Sequence, residues 1–317
     1  MKTLVPVSAV LPTRNRATLL ARFLESLASQ TVLPAEIVVC DASDNDKTLQ
    51  IVTQARAQWN EPRVLWTYQR ANRTGLAPQR NQAVTAANQE FVWFLDDDVI
   101  LEPHCLEALH NATSSASRIG GVTATITNQA YQPPGHFVRA LMRWFEDGRE
   151  RESYASACIG PGYTFYPDAS PDLPPTLPAE WMIGCCSLYR KAALPAPAVP
   201  DHFEGGALGE DMAASLFVAR SWTILHATGA RCFHDSQGGD HKRSLVRIAT
   251  QGLMNRHWIM TQVMERTSAR NHFDFAVMLL FGVASLLRRP STWSDAARVG
   301  VGYVAGTWRL LFGAAKP

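Results

Sequence analysis

The chain has few cysteines, and it lacks the sequence patterns of structural zinc sites, secretion signals and nucleic-acid-binding modules. None of the six cysteines forms the CxxC pair typical of structural zinc sites. The amino terminus runs into a strand pattern without the apolar stretch of a secretion signal, which predicts a cytoplasmic protein with reduced thiols. No basic strand with interleaved aromatic residues is present, and so nucleic acid is not expected as a partner.

Net charge is small but unevenly distributed. The 317 residues carry a formal charge of +2, yet from Asp240 onward eleven lysines and arginines face four acidic residues, so this tail carries +7. Its two apolar runs, 273–287 and 299–312, do not comfortably reach the roughly 20 residues that span a bilayer. We interpret them as interfacial helices held at an anionic cytoplasmic membrane surface. A helical pair covering the core, or a subunit interface, is the alternative.

Strand-like apolar runs alternate with helix-like segments through the first half. In chain order they are a strand at 5–11, a helix at 17–28, a strand at 36–40, a helix at 47–59, a strand at 64–68, a helix at 78–87 and a strand at 91–95. This order predicts an α/β fold with a mostly parallel sheet flanked by helices, followed by a C-terminal helical extension. After another strand at 119–127, the proline- and glycine-rich stretch 128–178 carries one predicted helix at 138–149.

Polar residues gather where three of the predicted strands end. They are Thr13, Arg14 and Asn15 after the first strand, Asp41 and Ser43 after the second, and Asp96, Asp97 and Asp98 after the fourth. In open parallel sheets, ligands bind beyond the carboxyl ends of the strands. The three adjacent carboxylates repel one another, and a hard cation such as Mg²⁺ or Mn²⁺ would offset them. A solvated acidic turn is the alternative.

Five motifs in this order resemble those of family 2 glycosyltransferases. They are Pro12-Thr13-Arg14-Asn15, Asp41-Ala42-Ser43, Gly75 with Arg80-Asn81, Asp96-Asp97-Asp98 and Gly209-Glu210-Asp211. The resemblance covers roughly 5–235 and implies an inverting enzyme with the GT-A fold. It further implies a nucleotide-diphosphate sugar donor, Mn²⁺ or Mg²⁺, and a hydroxyl acceptor on a glycan or lipid-linked sugar, in cell-surface polysaccharide or glycoconjugate synthesis.

The resemblance assigns a donor site and a metal site. Donor-binding residues would be Pro12, Thr13, Arg14, Asn15, Asp41, Ser43, Arg80, Asp96, Asp97 and Gly184. Asp41 would accept a hydrogen bond from the base or ribose, and its alternative role is a helix N-cap. Arg80 would reach the diphosphate, and its alternative is a solvated helix arginine. Strand alternation places Asp96 and Asp98 on one side, which matches the Asp-x-Asp usage of the family. The resemblance assigns Asp98 to the metal and Asp96 to the ribose or a metal-bound water within the metal site, with Asp97 a bystander. His234 would be the remaining ligand, or an ordinary strand-end histidine.

Catalysis and acceptor binding are assigned to later residues. Asp211 is the better match to the family's base, while Glu210 is the alternative and could orient the acceptor. Both acids would equally favour a helix start through the helix dipole. Trp181 could stack on the acceptor sugar, although buried packing is the competing interpretation, and Gly184 would let backbone approach the sugar. The stretch 128–178 is either a lid or acceptor-shaping loop, or a plain connector.

These assignments divide the chain into three parts. Residues 1–127 would form the nucleotide-sugar-binding half of the GT-A domain, 128–240 the acceptor-binding half, and 241–317 the membrane-associating tail. A non-catalytic glycan-binding or scaffolding protein with the same fold is one alternative. A sugar nucleotidyltransferase is another, but no glycine- and basic-rich phosphate loop follows the first predicted strand.

Overall fold

The computed structural model describes residues 2–203, 208–236 and 244–313, which belong to two units. The first unit comprises 1–133, 154–157 and 165–237, and the second comprises 134–153, 158–164 and 238–317. The irregular stretch 128–178 is therefore shared between the units. The boundaries predicted at 127 and 240 remain predictions.

A mixed, mostly parallel sheet is the centre of the first unit. Its strands are β1 (Thr3–Thr13), β2 (Val32–Asp41), β3 (Leu65–Arg70), β4 (Phe91–Leu95), β5 (Val99–Leu101), β6 (Ile119–Ile126), β9 (Thr176–Pro178), β10 (Cys186–Arg190) and β11 (Thr223–His234). They are ordered β3-β2-β1-β4-β10-β6-β11-β5, with β9 beside β11. Strands β1 to β4 pair in parallel, whereas β10 and β5 run antiparallel to their neighbours.

Helices flank this sheet, as the sequence pattern predicts. They are α1 (Ala17–Ala28), α2 (Lys47–Gln58), α3 (Leu76–Ala86), α4 (Cys105–Ser114) and α6 (Glu210–Ala219). Helix α1 buries Leu20, Phe23, Leu24 and Leu27, the spacing of a single helix face, while every side chain of β4 is buried. The predicted fold class is confirmed. Strand β2 begins earlier than predicted, at Val32, with a register irregularity opposite Pro34.

The second unit contains the predicted tail together with part of the insertion. Its elements are α5 (His136–Phe145), the short strands β7 (Cys158–Ile159) and β8 (Tyr163–Thr164), α7 (Leu245–Trp258), α8 (Ala269–Leu287) and α9 (Trp293–Phe312). The single helix predicted at 244–264 ends its α-helical geometry at Trp258 and continues as a wider π-helical turn, Ile259–Val263.

Helices α7 and α9 approach closely through two glycines of α9. The Thr250 hydroxyl donates to the Gly302 carbonyl at 2.9 Å, and a Cβ at Gly302 would lie 2.6 Å from the Val246 carbonyl oxygen. A Cβ at Gly306 would meet Leu253 at 3.1 Å. The glycine face of α9 is therefore committed to packing against α7.

Helix α8 is longer than its apolar run suggests. Ser268 caps its start reciprocally with Asn271, so that the helix begins at Ala269 and has 19 residues. This helix is long and apolar enough to cross a bilayer by length and composition, and 17% of its most apolar window is buried. The apolar run 273–287 is by itself shorter than this helix, because the capped first turn lies ahead of it.

Candidate active site

The acidic triplet lies directly after β4, at the carboxyl edge of the parallel strands. The Asp96 amide donates to the Cys185 carbonyl at 3.2 Å, and the Asp235 amide donates to the Asp98 carbonyl at 2.8 Å. Strand β5 then pairs with the end of β11, where Val99 lies opposite His234. This antiparallel pairing brings the predicted histidine beside the predicted carboxylates.

Asp96, Asp98 and His234 form a cluster suited to a cation. Their ligand atoms all lie within 4.8 Å of one another. The Asp98 Oδ1 is buried and has no hydrogen bond of standard geometry among the described residues. The distance from this oxygen to His234 Nε2 is 3.2 Å. Two carboxylates and an imidazole are a donor set that Mn²⁺ accepts, and hence these residues fit a divalent cation.

Two backbone hydrogen bonds hold His234 in this place. The His234 amide donates to the Asn128 side-chain oxygen at 3.0 Å, while the Asn128 side-chain amide donates to the His234 carbonyl at 2.9 Å. We did not single out Asn128 from the sequence. Its only local signal is an amide side chain immediately after a predicted strand.

Arg16 is a second residue that sequence reasoning missed. Its Nη1 lies 2.8 Å from Asp97 and 3.0 Å from Asp98. Burial raises the pKa of Asp97 to about 6, although Arg16 and a 2.6 Å hydrogen bond from the Thr13 hydroxyl act in the opposite direction. Burial also raises the pKa of Asp98, but His234 and Arg16 outweigh it and the pKa lies below its usual value. Asp97 is thus tied to the strand β1 end, apart from the cation cluster.

Asp41 is fully buried and bound by three donors. The Ser43 amide donates at 2.8 Å, the Tyr68 hydroxyl at 2.7 Å and Arg70 at 3.0 Å. It does not cap α2, whose N-cap residue is Asp46. The two β3 residues share one face of that strand, and the register places Arg70 opposite Asp41.

The loops after β1 and β2 are joined through Asn15. This residue adopts a left-handed conformation (φ +55°), donates from its amide to the Ser43 hydroxyl at 2.7 Å, and exchanges two hydrogen bonds with Asp44. Arg14 is exposed and lies 3.9 Å from Asp44. Asn15 therefore shapes the edge on which a donor would lie.

Gln79 bridges the same two strand ends from α3. Its side-chain amide donates to the carbonyls of Thr13 and Cys40, at 2.9 Å each. The Thr13 carbonyl also accepts from the Ala42 amide, and Pro12 lies opposite Cys40 within the sheet. The backbone here is consequently engaged in holding the edge together.

Arg80 is buried between the two groups of acids. It donates to Glu210 at 2.6 Å, to Asp96 at 2.7 Å and to the Gly184 carbonyl at 2.8 Å. A solvated helix arginine is excluded by this burial. A donor diphosphate would have to replace one of these partners to reach the guanidinium.

Glu210 and Asp211 open α6 after Gly209, which has φ +87°. Glu210 is buried, and burial together with the charge of Asp211 raises its pKa to about 8. Burial also raises the pKa of Asp211, whose two oxygens accept from the Gly184 amide at 3.2 Å and the Met212 amide at 2.7 Å. Asp211 is the less buried of the two acids. The glycine-rich residues 205–207, which precede this motif in the sequence, lie outside the described residues.

Gly184 is required by the packing of these side chains. A Cβ there would lie 3.0 Å from Glu210 Oε1, 3.1 Å from Asp211 Cβ and 3.2 Å from Arg80 Nη1. The close approach that the sequence suggested is thus made to the protein's own acids. An approach to a sugar stays a prediction.

Trp181 packs in the protein and leaves Tyr166 more accessible. The Trp181 indole donates to the Phe165 carbonyl at 2.9 Å, and 7% of the residue is exposed. The Tyr166 ring lies 6.1 Å from it, centroid to centroid, and is 41% exposed. Trp181 itself therefore offers little surface for stacking on a sugar.

Comparison with known proteins identifies the same family as the motifs. The family described as "Glycosyl transferase family 2" matches residues 8–170, just over half of the chain. Chondroitin synthase of Pasteurella multocida is 28% identical over 145 residues, 46% of this chain and 14% of that protein. GalNAc(5)-diNAcBac-PP-undecaprenol beta-1,3-glucosyltransferase of Campylobacter jejuni is 32% identical over 92 residues, 29% of each chain. The chain spans less than a third of the length of either relative.

A solved structure shares the fold across most of the chain. Mannosyltransferase PcManGT from Pyrobaculum calidifontis, in complex with GDP-Man and Mn²⁺, superimposes with a TM-score of 0.57 at 17% identity. The alignment covers 96% of this chain and 87% of that one. At this identity the likeness shows the fold, which agrees with the predicted GT-A architecture.

Proposed function

Because the chain belongs to family 2 of the glycosyltransferases, we propose that it moves a sugar from a nucleotide-diphosphate sugar to a hydroxyl of a glycan or lipid-linked acceptor. The observation that carries this proposal is the meeting of two groups at one sheet edge. The cluster Asp96, Asp98 and His234 lies on one side of Arg80, and Glu210 and Asp211 lie on the other. The names of the polysaccharide synthase and the undecaprenol-linked transferase support cell-surface polysaccharide or glycoconjugate synthesis.

Asp98, Asp96 and His234 would hold Mn²⁺ or Mg²⁺. When bound, the cation supplies positive charge that stabilises the diphosphate as it leaves. Arg16 and Arg80 each occupy one oxygen of a candidate ligand, Asp98 Oδ2 and Asp96 Oδ1. These arginines orient the two carboxylates and lower the repulsion between them before any ligand binds.

Asp41 and its surroundings would receive the nucleoside. The carboxylate sits beside Tyr68, Arg70 and Ser43, at the end of β2 on the same edge as the acids. A base or ribose hydroxyl would add a donor to this set. Asn15 and Gln79 keep the two loops in register, so that the nucleoside meets a preformed surface.

Asp211 would act as the general base of an inverting displacement. The acceptor oxygen forms its bond to the anomeric carbon while the bond to the diphosphate oxygen breaks, and the hydroxyl proton passes to the Asp211 carboxylate. The Gly184 amide orients this carboxylate, and the raised pKa makes it a better proton acceptor near neutral pH. Glu210, held by Arg80, would support Asp211 and orient the acceptor.

We further infer that the second unit binds an anionic membrane surface. One stripe of apolar residues along α9 is more than half exposed at every position. Its residues are Val301, Val304, Trp308, Leu311 and Phe312. These positions recur at helical spacing, on a face other than the glycine face that packs on α7. Arg288 and Arg289 are exposed between α8 and α9, next to Leu287 and Trp293. Apolar and basic groups together fit a bilayer with anionic lipid.

Donor binding tests the proposed function most directly. Thermal unfolding of the full chain with a panel of UDP-, GDP- and dTDP-sugars, with and without Mn²⁺, should show stabilisation by one donor class that depends on the cation. Asp98→Ala should abolish the cation-dependent part of nucleoside diphosphate binding in calorimetry, while Asp172→Ala, a change at an exposed acid, should not. Equal affinity of the unaltered protein with and without Mn²⁺ or Mg²⁺ would exclude the metal role.

A further inference from the structure

One tyrosine of the irregular insertion is more exposed than its aromatic neighbours in the first unit. The group contains Tyr154, whose ring stacks on Phe165 at a centroid distance of 5.4 Å, and Trp181. Tyr154 and Trp181 are buried, whereas Tyr166 is 41% exposed. Tyr166 thus has one neighbour that supports it and open surface besides.

The backbone around Tyr166 is held in place by hydrogen bonds. Its carbonyl accepts from the Ser156 amide at 3.2 Å, and the Ser156 carbonyl accepts from the Glu180 amide at 2.9 Å. Next to it, the Phe165 amide donates to the Ala157 carbonyl at 3.0 Å. These bonds connect Tyr166 to the residue preceding Trp181, so the ring is positioned by structure and not by an unsupported loop.

The same segment leads to the carboxylate that we assign as the base. Three residues after Trp181, the Gly184 amide donates to Asp211. The Tyr166 ring contacts Trp181 at the start of this segment, at a centroid distance of 6.1 Å. Burial, and after it the negative charge of Asp211, raises the pKa of the Tyr166 hydroxyl. An exposed aromatic ring therefore packs on the segment 181–184, whose last amide holds the proposed base.

We propose that Tyr166 is the stacking platform for the acceptor sugar and a determinant of acceptor specificity. This inference rests on the proposed function. A pyranose presents C–H groups on one ring face, and an aromatic ring contacts such a face well while leaving the hydroxyls at the rim free. Stacking on Tyr166 would hold one of those hydroxyls toward Asp211. The platform selects sugars with an unobstructed C–H face.

Steady-state kinetics on the full chain tests this role. The donor is the nucleotide sugar that the protein turns over. The acceptors are the allyl β-glycosides of glucose, galactose, N-acetylglucosamine and N-acetylgalactosamine, which carry no aromatic ring of their own. Tyr166→Ala should raise the acceptor KM about tenfold or more, while acceptor-independent hydrolysis of the donor stays within about twofold. Tyr166→Phe keeps the ring and should stay within about threefold of the unaltered protein.

Two further variants keep the test decisive. Phe137→Ala removes an exposed aromatic side chain of the second unit and should leave the acceptor KM unchanged. Tyr166→Leu preserves most of the apolar volume without the ring, and should raise the acceptor KM as Tyr166→Ala does. It replaces Tyr166→Ala in the test if that variant folds poorly. An unchanged acceptor KM in Tyr166→Leu would overturn the platform. A rise in the acceptor KM of Tyr166→Phe as large as that of Tyr166→Leu would overturn it too.

Failure of the proposed function would be seen separately. If the unaltered protein neither transfers nor hydrolyses any nucleotide sugar, that function is wrong. The platform is then tested by nuclear magnetic resonance line broadening of the same allyl glycosides in the presence of the protein. Broadening that Tyr166→Leu abolishes and Tyr166→Phe retains would support it, and broadening independent of residue 166 would overturn it.

Discussion

The two units depart from ordinary burial in opposite ways. At the site of the first unit, Arg80, Asp97, Asp98 and Glu210 are buried ionisable side chains, although burying such a group is costly unless it is paired. In the second unit, large apolar side chains such as Trp308 stay exposed along α9, although apolar surface is ordinarily removed from water. Each departure opposes folding, and under the proposed function each would be offset by a ligand of matching chemistry.

The difference also concerns how each surface is kept in shape. The buried charges of the first unit are held by each other and by strand ends, as when Arg80 joins Asp96 to Glu210. The apolar stripe of the second unit is held from behind, because Gly302 and Gly306 bring α9 against α7. A rigid polar site suits chemistry on one substrate, whereas an exposed apolar stripe suits a fluid partner such as a bilayer.

The largest expected effect is on the chemical step. Asp211→Asn keeps the shape of the side chain but removes the proton acceptor, so transfer should fall by about two to four orders of magnitude with donor affinity nearly unchanged. Donor calorimetry and steady-state transfer rates measure the two quantities. A large loss in Glu210→Gln with near-normal transfer in Asp211→Asn would exchange the roles of the two acids.

A large effect on stability is expected at Arg80. Arg80→Met leaves two acids near each other without their cation, and should lower the free energy of unfolding by about 3–5 kcal/mol in urea titrations. Adding Glu210→Gln to that variant should recover part of the loss, since it removes one of the two acids left without a partner. Arg14→Met, a change at an exposed arginine, is the matched control and should have little effect. If Arg80→Met and Arg14→Met had equal free energies of unfolding, this account of the buried ion pairs would be contradicted.

An intermediate effect concerns acid stability of the first unit. Burial lowers the pKa of His226 to about 4, where its ring lies 2.6 Å from the Thr125 hydroxyl. The unfolded chain takes up this proton near pH 6.5 and the folded chain only near 4. The free energy of unfolding should therefore fall by up to about 3 kcal/mol between those values.

Urea titrations of His226→Gln across this pH range would test the assignment. The variant should show a smaller fall than the unaltered protein, because it no longer has a group that gains a proton on unfolding. His104→Gln, at an exposed histidine, should keep the full slope. The same slope in all three proteins would mean that other groups cause the loss.

The smallest effect is expected on the exposed stripe of the second unit. Trp308→Ser and Leu311→Ser should each weaken binding to vesicles containing anionic lipid by about 1–2 kcal/mol, without altering donor binding. Added salt should weaken binding further, because it screens the tail charge. Leu65→Ser, an exposed apolar position on β3, should have no effect. Failure of the unaltered protein to co-sediment at low salt would favour a protein-facing role for this stripe.

Much of the fold follows from local pattern. Alternating apolar runs and amphipathic segments predict β1 to β4 and α1 to α3, because each element shows its own periodicity. The polar groups at Asn15, Asp41 and Asp98 were predicted to meet since carboxyl ends of parallel strands share an edge, and the structure brings them there. The boundaries of α8 were less well predicted, because the capping residues lie outside its apolar run.

The amino-acid sequence by itself determined the fold class, the family motifs and the edge at which they gather, because strand periodicity and short motifs are properties of neighbouring residues. Only the tertiary structure decided that His234 joins Asp98, that Arg80 lies between Asp96 and Glu210, and that Tyr166 is the open aromatic ring beside a buried Trp181. These relations join residues far apart in the chain. They depend on the antiparallel return of β11 to β5 and on side-chain burial, which no local pattern encodes.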